Sequence, residues 1–285
     1  RRDFNLPVDV VSKADMHKEV ATDAYQGGLL FHSHGGVHPA RYQQSLMAAA
    51  RHAGAQVFGY TPVTGWQCHG KGFTVHTPHG ALEAHDVLLA TNGYTAKPFK
   101  DQASGLVPIP SFLIATEPLG VERVRALIPN GRMIVETREK HLYYRPSPDG
   151  ERIILGGRAA LHPIPLELAR QRLRHELVAL FPALQGVAIS HTWTGNVAMT
   201  RSDLPAIGQK DGLWYALGCN GSGVALMTYL GYKLGLKVLG KAEGVTAFDT
   251  IPFKTIPFYD GRPWFLPLMT AWFRARNLWR EHIAS

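Results

Sequence analysis

The run Leu217-Gly218-Cys219-Asn220-Gly221-Ser222-Gly223-Val224-Ala225-Leu226 constrains this chain more than any other stretch, because a glycine-rich turn leads directly into an apolar segment of helical character. A helix N-terminus presents unpaired backbone N–H groups and a partial positive charge, and glycines just before it let a polar or anionic group approach the backbone closely. The pattern therefore predicts a helix start that faces a cofactor. A tight turn whose glycines only supply positive φ is the other reading of the same residues.

The surroundings of this turn exclude several classes of protein. The longest uncharged run, Gly212 to Tyr232, is long enough to cross a bilayer, but Asn220, Gly221, Ser222 and Gly223 interrupt it, so it reads as strand, turn and buried helix. With 285 residues and 45% hydrophobic content the chain can bury a large core or two smaller ones. The net charge of +8 comes from Lys and Arg spread thinly, with no basic run or nucleic-acid motif, so no nucleic-acid partner is expected. Two distant cysteines, Cys68 and Cys219, make neither a disulfide framework nor a metal site and suit a reducing, cytoplasmic location. No signal-peptide pattern is present, and the opening Arg1-Arg2-Asp3 without a methionine suggests a piece of something longer.

Along the chain, Pro39 to Ala53 reads as a helix with Pro39 in its first turn and Gly54 closing it. A strand is expected at Ala55 to Tyr60, then a hairpin from Phe73–Thr77 and Ala81–His85 around Pro78-His79-Gly80, then a short buried strand Val87-Leu88-Leu89-Ala90. This order suits an α/β domain with a small antiparallel element beside a parallel sheet. Ser111 to Glu117, Met133 to Glu136, Leu142 to Arg145 and Ile153 to Gly157 read as an antiparallel sheet. Pro165 to Phe181 then places Leu166, Ala169, Leu173, Leu177, Leu180 and Phe181 on one face of an amphipathic helix that covers that sheet. Strands follow at His191 to Thr194 and Leu213 to Leu217, with a helix running on to about Leu239. From Pro252 the tail interleaves five basic residues with Phe253, Phe258, Trp264, Phe265, Trp272, Phe273 and Trp279; it could touch a membrane surface, or pack on the body or a second subunit.

Four segments in fixed order, Gly35-Gly36-Val37-His38-Pro39-Ala40-Arg41-Tyr42, Gly54-Ala55 with Thr61-Pro62-Val63, Leu89-Ala90-Thr91-Asn92-Gly93-Tyr94-Thr95, and Gly218 to Leu226, resemble the FAD-dependent D-amino-acid oxidase family. The likeness runs from about Ala21 to Phe258 and includes the bacterial amine- and amino-acid-oxidising members of the glutamylputrescine and glycine oxidase types. It implies an α/β (α+β) fold: a Rossmann-like FAD-binding domain lacking its first βαβ unit, with an antiparallel-sheet substrate domain. The implied division is 1–34 and 99–194 for the substrate domain, 35–98 and 195–250 for the FAD-binding part, and 251–285 for the tail.

By the same resemblance, the backbone around Val63 would meet the adenine side of FAD, and Ala90, Thr91, Asn92 and Gly93 would close the nucleotide site at the end of their strand. Gly221, Ser222, Gly223 and Val224 would face the pyrimidine edge of the isoalloxazine, where amides and the helix dipole oppose developing negative charge. Tyr143 and Arg145 would line the substrate side; ordinary sheet packing and a surface charge are their other readings. The implied reaction takes hydride from the carbon beside an amine and yields an imine that water hydrolyses, with oxygen or an electron carrier as acceptor. It needs no dedicated base if the amine arrives neutral.

Two departures from the family pattern bear on this. No segment fits the G-x-G-x-x-G turn that holds the FAD pyrophosphate, since Gly27-Gly28 and Gly35-Gly36 lack the spacing. The chain is therefore expected to be part of a longer flavoenzyme, to bind FAD poorly and to be inactive alone. Where the glycine oxidase type places two carboxylate-gripping arginines, Val197 and Gly221 stand here; Arg158 or Arg201 would have to substitute, which makes an amine at least as good a substrate as an amino acid. Cys219 sits at the pyrimidine end, the wrong side for the usual covalent flavin link. Two rival readings remain: a metal-dependent hydrolase built on His32, His34 and His38, and a non-catalytic binding or assembly fragment.

Overall fold

The computed structural model describes residues 7–70, 72–138 and 141–267. In chain order its elements are β1 (Val8–Ser12), β2 (Gly27–Phe31), α1 (Pro39–His52), β3 (Gly65–His69), β4 (Gly72–Thr77), β5 (Gly80–Ala84), β6 (Leu88–Leu89), α2 (Lys100–Ala103) and β7 (Leu106–Thr116). There follow α3 (Val121–Leu127), β8 (Ile134–Val135), β9 (Tyr143–Pro146), β10 (Ile153–Gly157), α4 (Leu166–Leu180), β11 (Ile189–Thr200), β12 (Ala206–Lys210), β13 (Leu213–Leu217) and α5 (Gly223–Val238). The mixture of helices with largely antiparallel sheets is the α/β organisation expected. The chain divides into two compact units, one formed by residues 1–44 and 110–195 and the other by 45–109 and 196–285.

In the first unit the sheet order is β11-β7-β10-β9-β8, with β10 antiparallel to both β7 and β9. Helix α4 forms because Ala169, Leu173, Leu177 and Leu180 recur at helical spacing, and all four are buried. They join Phe112, Ile114, Tyr144, Ile153 and Leu155 in one core, where each fully buried leucine contributes roughly 1.5–3 kcal/mol. Leu166, at the start of the helix, is 43% exposed and stays outside that core. A Cβ on Gly157 would come within 2.6 Å of Leu142 Cδ2, just before β9, and would touch Leu173 Cδ2 of α4 at 3.5 Å.

The second unit centres on β13, whose alternation sends side chains to two separate cores. Leu213, Tyr215 and Leu217 pack with Leu89, Phe99, Leu106 and Ala198, whereas Trp214 and Ala216 join Ile207, Leu230 and Leu234 under α5. A strand buried on both faces reads as a continuous apolar run, which is why Leu213 to Leu217 stands out in sequence. It pairs antiparallel with β12 and parallel with β6. A separate antiparallel meander, β3-β4-β5, carries the expected hairpin with Thr77 opposite Gly80.

Ala55 to Tyr60 is not a strand. The segment is coil and turn, with Val57, Phe58 and Tyr60 exposed, and it joins no ladder among the described residues. An apolar run becomes a strand only with a neighbour to pair with, and the pairing falls instead at Gly65–His69. Helix α1 likewise buries none of its side chains; alanine content, Pro39 in the first turn and Gly54 at φ +95° fix its extent. Among the described residues no helix is long and apolar enough to cross a membrane.

Candidate functional site

In the second unit, two segments far apart in sequence are joined by side-chain hydrogen bonds. Leu89 ends β6 and the chain enters a single 3-10 turn, Asn92–Tyr94, with Asn92 at φ +44°. That geometry directs the Asn92 side chain at the turn after β13, where its Oδ1 accepts from the backbone N–H groups of Gly218 (3.0 Å) and Cys219 (3.2 Å). Gly93 is buried against the backbone of Asn196, and a Cβ there would lie 2.6 Å from the Asn196 carbonyl oxygen. Tyr94 completes the contact, its hydroxyl accepting from Asn196 N–H at 3.2 Å. Thr91 Oγ1 bonds Thr95 Oγ1 at 2.8 Å, and Thr95 Oγ1 donates to Asn92 C=O at 2.7 Å.

A second asparagine holds the glycine turn from the other side. Asn220, at φ +46°, receives Thr200 N–H on Oδ1 at 2.8 Å and donates from Nδ2 to Gly218 C=O at 2.8 Å. Its own N–H donates to Ala198 C=O at 3.0 Å. Gly218 has two reasons to be glycine: φ is +80°, and a Cβ would meet Thr200 Cγ2 at 2.3 Å. Gly221, at φ +91°, has open space where a Cβ would stand.

This framework presents the first turn of α5. Gly221, Ser222 and Val224 are exposed and Gly223 is half-buried. Ser222, at the N-cap, makes no side-chain capping bond, and the first turn has no acidic residue, so nothing on the helix offsets its positive end. The arrangement fits an electron-rich planar group laid against the backbone. Ala90 and Thr91 are exposed beside the Asn92 junction, and Val63 packs on the core that contains Leu89. Val63, Ala90 to Gly93 and Gly221 to Val224 thus all belong to one unit.

In the first unit, Tyr143 lies on β9 with its hydroxyl 2.5 Å from Ser111 Oγ on β7. Burial holds its phenol pKa above the ordinary range, while the Ser111 hydrogen bond and the Arg158 charge pull the other way. Arg158 is exposed at the end of β10. Arg145, two residues after Tyr143, donates from Nη1 to Val37 C=O at 2.9 Å and so fastens the turn that leads to α1. Arg201 is exposed in the turn between β11 and β12, in the second unit. Beneath this sheet, Tyr25 donates to Glu136 at 2.5 Å and contacts the Tyr144 hydroxyl at 2.9 Å, and Arg138 pairs with the same buried carboxylate.

The three histidines do not converge. His32 Nε2 bonds Asp9 at 2.8 Å, and His34 stacks on Phe31 with ring centroids 4.6 Å apart. Among the described residues no group of three or more His, Cys, Asp or Glu side chains could hold a metal ion, so the hydrolase reading has no site there. Cys219 is buried and Cys68 exposed, both as free thiols. The first part of the tail packs on its own unit: Phe253 lies 5.4 Å from Tyr215 and Tyr259 donates to Leu106 C=O at 2.8 Å. Trp272, Phe273 and Trp279 lie outside the described residues.

Sequence reasoning placed Asn92 among the residues closing the nucleotide site and missed the bonds its side chain makes to Gly218 and Cys219; it also missed Asn220, Thr200 and Ser111. A signal was present for the asparagines, since Asn tolerates the left-handed backbone that glycine otherwise supplies. Nothing in sequence linked Ser111 to Tyr143.

The sequence matches the family described as DAO, FAD dependent oxidoreductase, over residues 1–235. It is 30% identical to the gamma-glutamylputrescine oxidoreductase of Escherichia coli over 265 residues, covering 92% of this chain and 61% of the relative. It is 29% identical to a probable oxidoreductase OrdL of Haemophilus influenzae, covering 88% of this chain and 58% of the relative. The chain thus spans about three-fifths of the length of these curated relatives. In structure it resembles glycine oxidase from Geobacillus kaustophilus, with a TM-score of 0.74 at 20% identity over 90% of this chain and 69% of that one. L-proline dehydrogenase from P. horikoshii superimposes with a TM-score of 0.68 at 20% identity, over 87% of this chain and 67% of that one. With the family matched over most of its length, this chain belongs to the DAO family of FAD-dependent oxidoreductases.

Proposed function

We propose that this chain carries the flavin-edge and substrate-side residues of an FAD-dependent oxidoreductase that oxidises an amine or amino acid. When bound, FAD supplies the hydride acceptor for the carbon beside the substrate nitrogen, and the resulting imine is hydrolysed by water. The observation that carries the reading is the junction at Asn92, which holds the Ala90–Gly93 segment to the turn that leads into the uncapped start of α5.

The chain's own residues then have separable tasks. Backbone N–H groups at Gly223 and Val224, with the α5 dipole, would oppose negative charge that develops on a flavin held there. Ala90 to Gly93 and the backbone at Val63 bound the nucleotide. Tyr143 and Arg158 orient the substrate; Arg145 is already committed to Val37 C=O, and Arg201 is a further candidate for an anionic group. Val197 and Gly221 stand where the glycine oxidase type would place carboxylate-gripping arginines, so an amine is at least as good a candidate as a simple amino acid. The G-x-G-x-x-G turn that would cradle the diphosphate is not found in these 285 residues, so full affinity for FAD requires that segment.

The test is bleaching of flavin absorbance under anaerobic conditions, in a form extended through the upstream coding sequence. γ-Glutamylputrescine, putrescine and glycine are the probes, the first suggested by the Escherichia coli relative. Reduction by an amine supports the reading. A flavin that none of a broad amine and amino-acid panel reduces contradicts it.

A further inference from the structure

Tyr143 and Ser111 belong to strands that are not neighbours. β10 runs between β9 and β7, and in its register Gly156 stands opposite Tyr143 on one side and Leu113 on the other. Strands two apart lie roughly 9–10 Å from one another, so an ordinary residue on the middle strand would separate them. Gly156 removes that obstacle. A Cβ there would stand 2.2 Å from Tyr143 Cε2, 2.4 Å from Cζ and 2.7 Å from the hydroxyl oxygen, so the tyrosine ring occupies the space a side chain would take. Crossing the glycine brings the phenol to Ser111 Oγ. Ser111 is itself held, because its C=O accepts from Thr194 Oγ1 on β11 at 2.9 Å.

We propose that Ser111 is a positioning residue for substrate recognition, which acts by fixing the Tyr143 hydroxyl over Gly156 so that one hydrogen-bonding direction of the phenol is left for the amine substrate. The proposal rests on the functional reading above, in which Tyr143 lines the substrate side. A phenol has one donor and also accepts, and Ser111 takes one of these directions whichever atom carries the proton. The partner left for substrate then points from a fixed place, because the ring rests on Gly156 and the hydroxyl on Ser111. The assignment makes Ser111 matter only through Tyr143, whereas a serine that merely stabilised β7 would act independently of the tyrosine.

The experiment uses the flavin-loaded enzyme, with γ-glutamylputrescine as probe and putrescine as second amine. Ser111→Ala should raise KM about tenfold, the loss of one hydrogen bond of about 1.4 kcal/mol, with kcat nearly unchanged. Ser111→Thr, which keeps the hydroxyl, should restore KM. In a Tyr143→Phe background, Ser111→Ala should add nothing, since the interaction it removes is already gone. A readout independent of turnover is 13C NMR of the tyrosine ring carbons: Ser111→Ala should shift the Tyr143 resonance, identified by its loss in Tyr143→Phe, and move its titration to higher pH.

The arms separate the possible failures. If no amine or amino acid of the broad panel reduces the wild-type flavin, the functional reading fails and takes this proposal with it. If the wild type is reduced, but Ser111→Ala leaves KM unchanged or adds its full effect to Tyr143→Phe, the positioning role is overturned while the functional reading stands. A raised KM in Ser111→Ala with an unmoved Tyr143 resonance also overturns it, because the effect would not then pass through the phenol.

Discussion

The side-chain oxygen of Asn92 is bonded to Gly218 N–H at 3.0 Å and, through the same atom, to Cys219 N–H at 3.2 Å, joining residues 126 and 127 positions apart. One carbonyl therefore satisfies two backbone donors that are buried in the turn after β13. Replacing Asn92 with alanine would leave both unpaired, at about 1–3 kcal/mol each. The expected loss in chemical denaturation is about 2–6 kcal/mol, together with weaker flavin affinity in the extended protein. Asn92→Asp keeps an acceptor at Oδ1 and should cost less than alanine.

The glycines of the turn differ in what they require, and alanine substitutions should separate the requirements. Gly218→Ala meets both a φ of +80° and the Thr200 methyl at 2.3 Å, so strain and overpacking add to about 2–4 kcal/mol. Gly221→Ala has only its φ of +91° to contend with, at about 1 kcal/mol, because the space around it is open. A large side chain at Gly223, by contrast, should leave the fold standing and weaken flavin binding or slow reduction. Equal thermal stability of the two alanine variants would contradict this division.

These differences also show what could be read from sequence. The strand Leu213–Leu217 and the helix that follows were visible because both faces of the strand are buried and glycines bracket the turn. α4 was visible through the spacing of Ala169, Leu173, Leu177 and Leu180. β11, twelve residues long, was seen only at His191 to Thr194, because its polar and glycine positions break any apolar alternation. β1 and β2 are short and partly exposed and were not seen. The bond between Asn92 and Gly218 and the crossing of Tyr143 over Gly156 were illegible, since each depends on which strands become neighbours.

The buried tyrosines give the protein a pH dependence in the alkaline range. Tyr25, Tyr143 and Tyr144 all have pKa values raised above 10.0, with burial the leading cause in each. The folded state therefore holds these protons more tightly than the unfolded chain. Their contribution to stability is complete below about pH 10 and falls as pH rises through the raised folded values. Ultraviolet titration should show these phenols titrating above the ordinary tyrosine range in the native protein and within that range in denaturant. Ordinary titration of all ten tyrosines in the folded protein would contradict the burial of the Tyr25–Glu136–Tyr144 cluster.

Arg158 and Arg145 should part company in kinetics. Arg158 is exposed, and its charge reaches the Tyr143 phenol, so Arg158→Ala should raise KM for γ-glutamylputrescine, which bears a carboxylate, and leave KM for putrescine nearly unchanged. Arg145→Ala loses its bond to Val37 C=O and should show instead as reduced stability, by about 1 kcal/mol. Steady-state kinetics with both amines, beside denaturant unfolding of each variant, checks the pair.

The measurement that bears most directly on the account is a comparison of visible spectra: this 285-residue chain purified beside a form extended through the upstream coding sequence. The account predicts a yellow extended form with the absorbance of oxidised flavin, and a short form that is colourless and takes up added FAD weakly. If neither form carries or takes up flavin, the framework built on Asn92 and the start of α5 does not hold a flavin, and the proposed function is wrong.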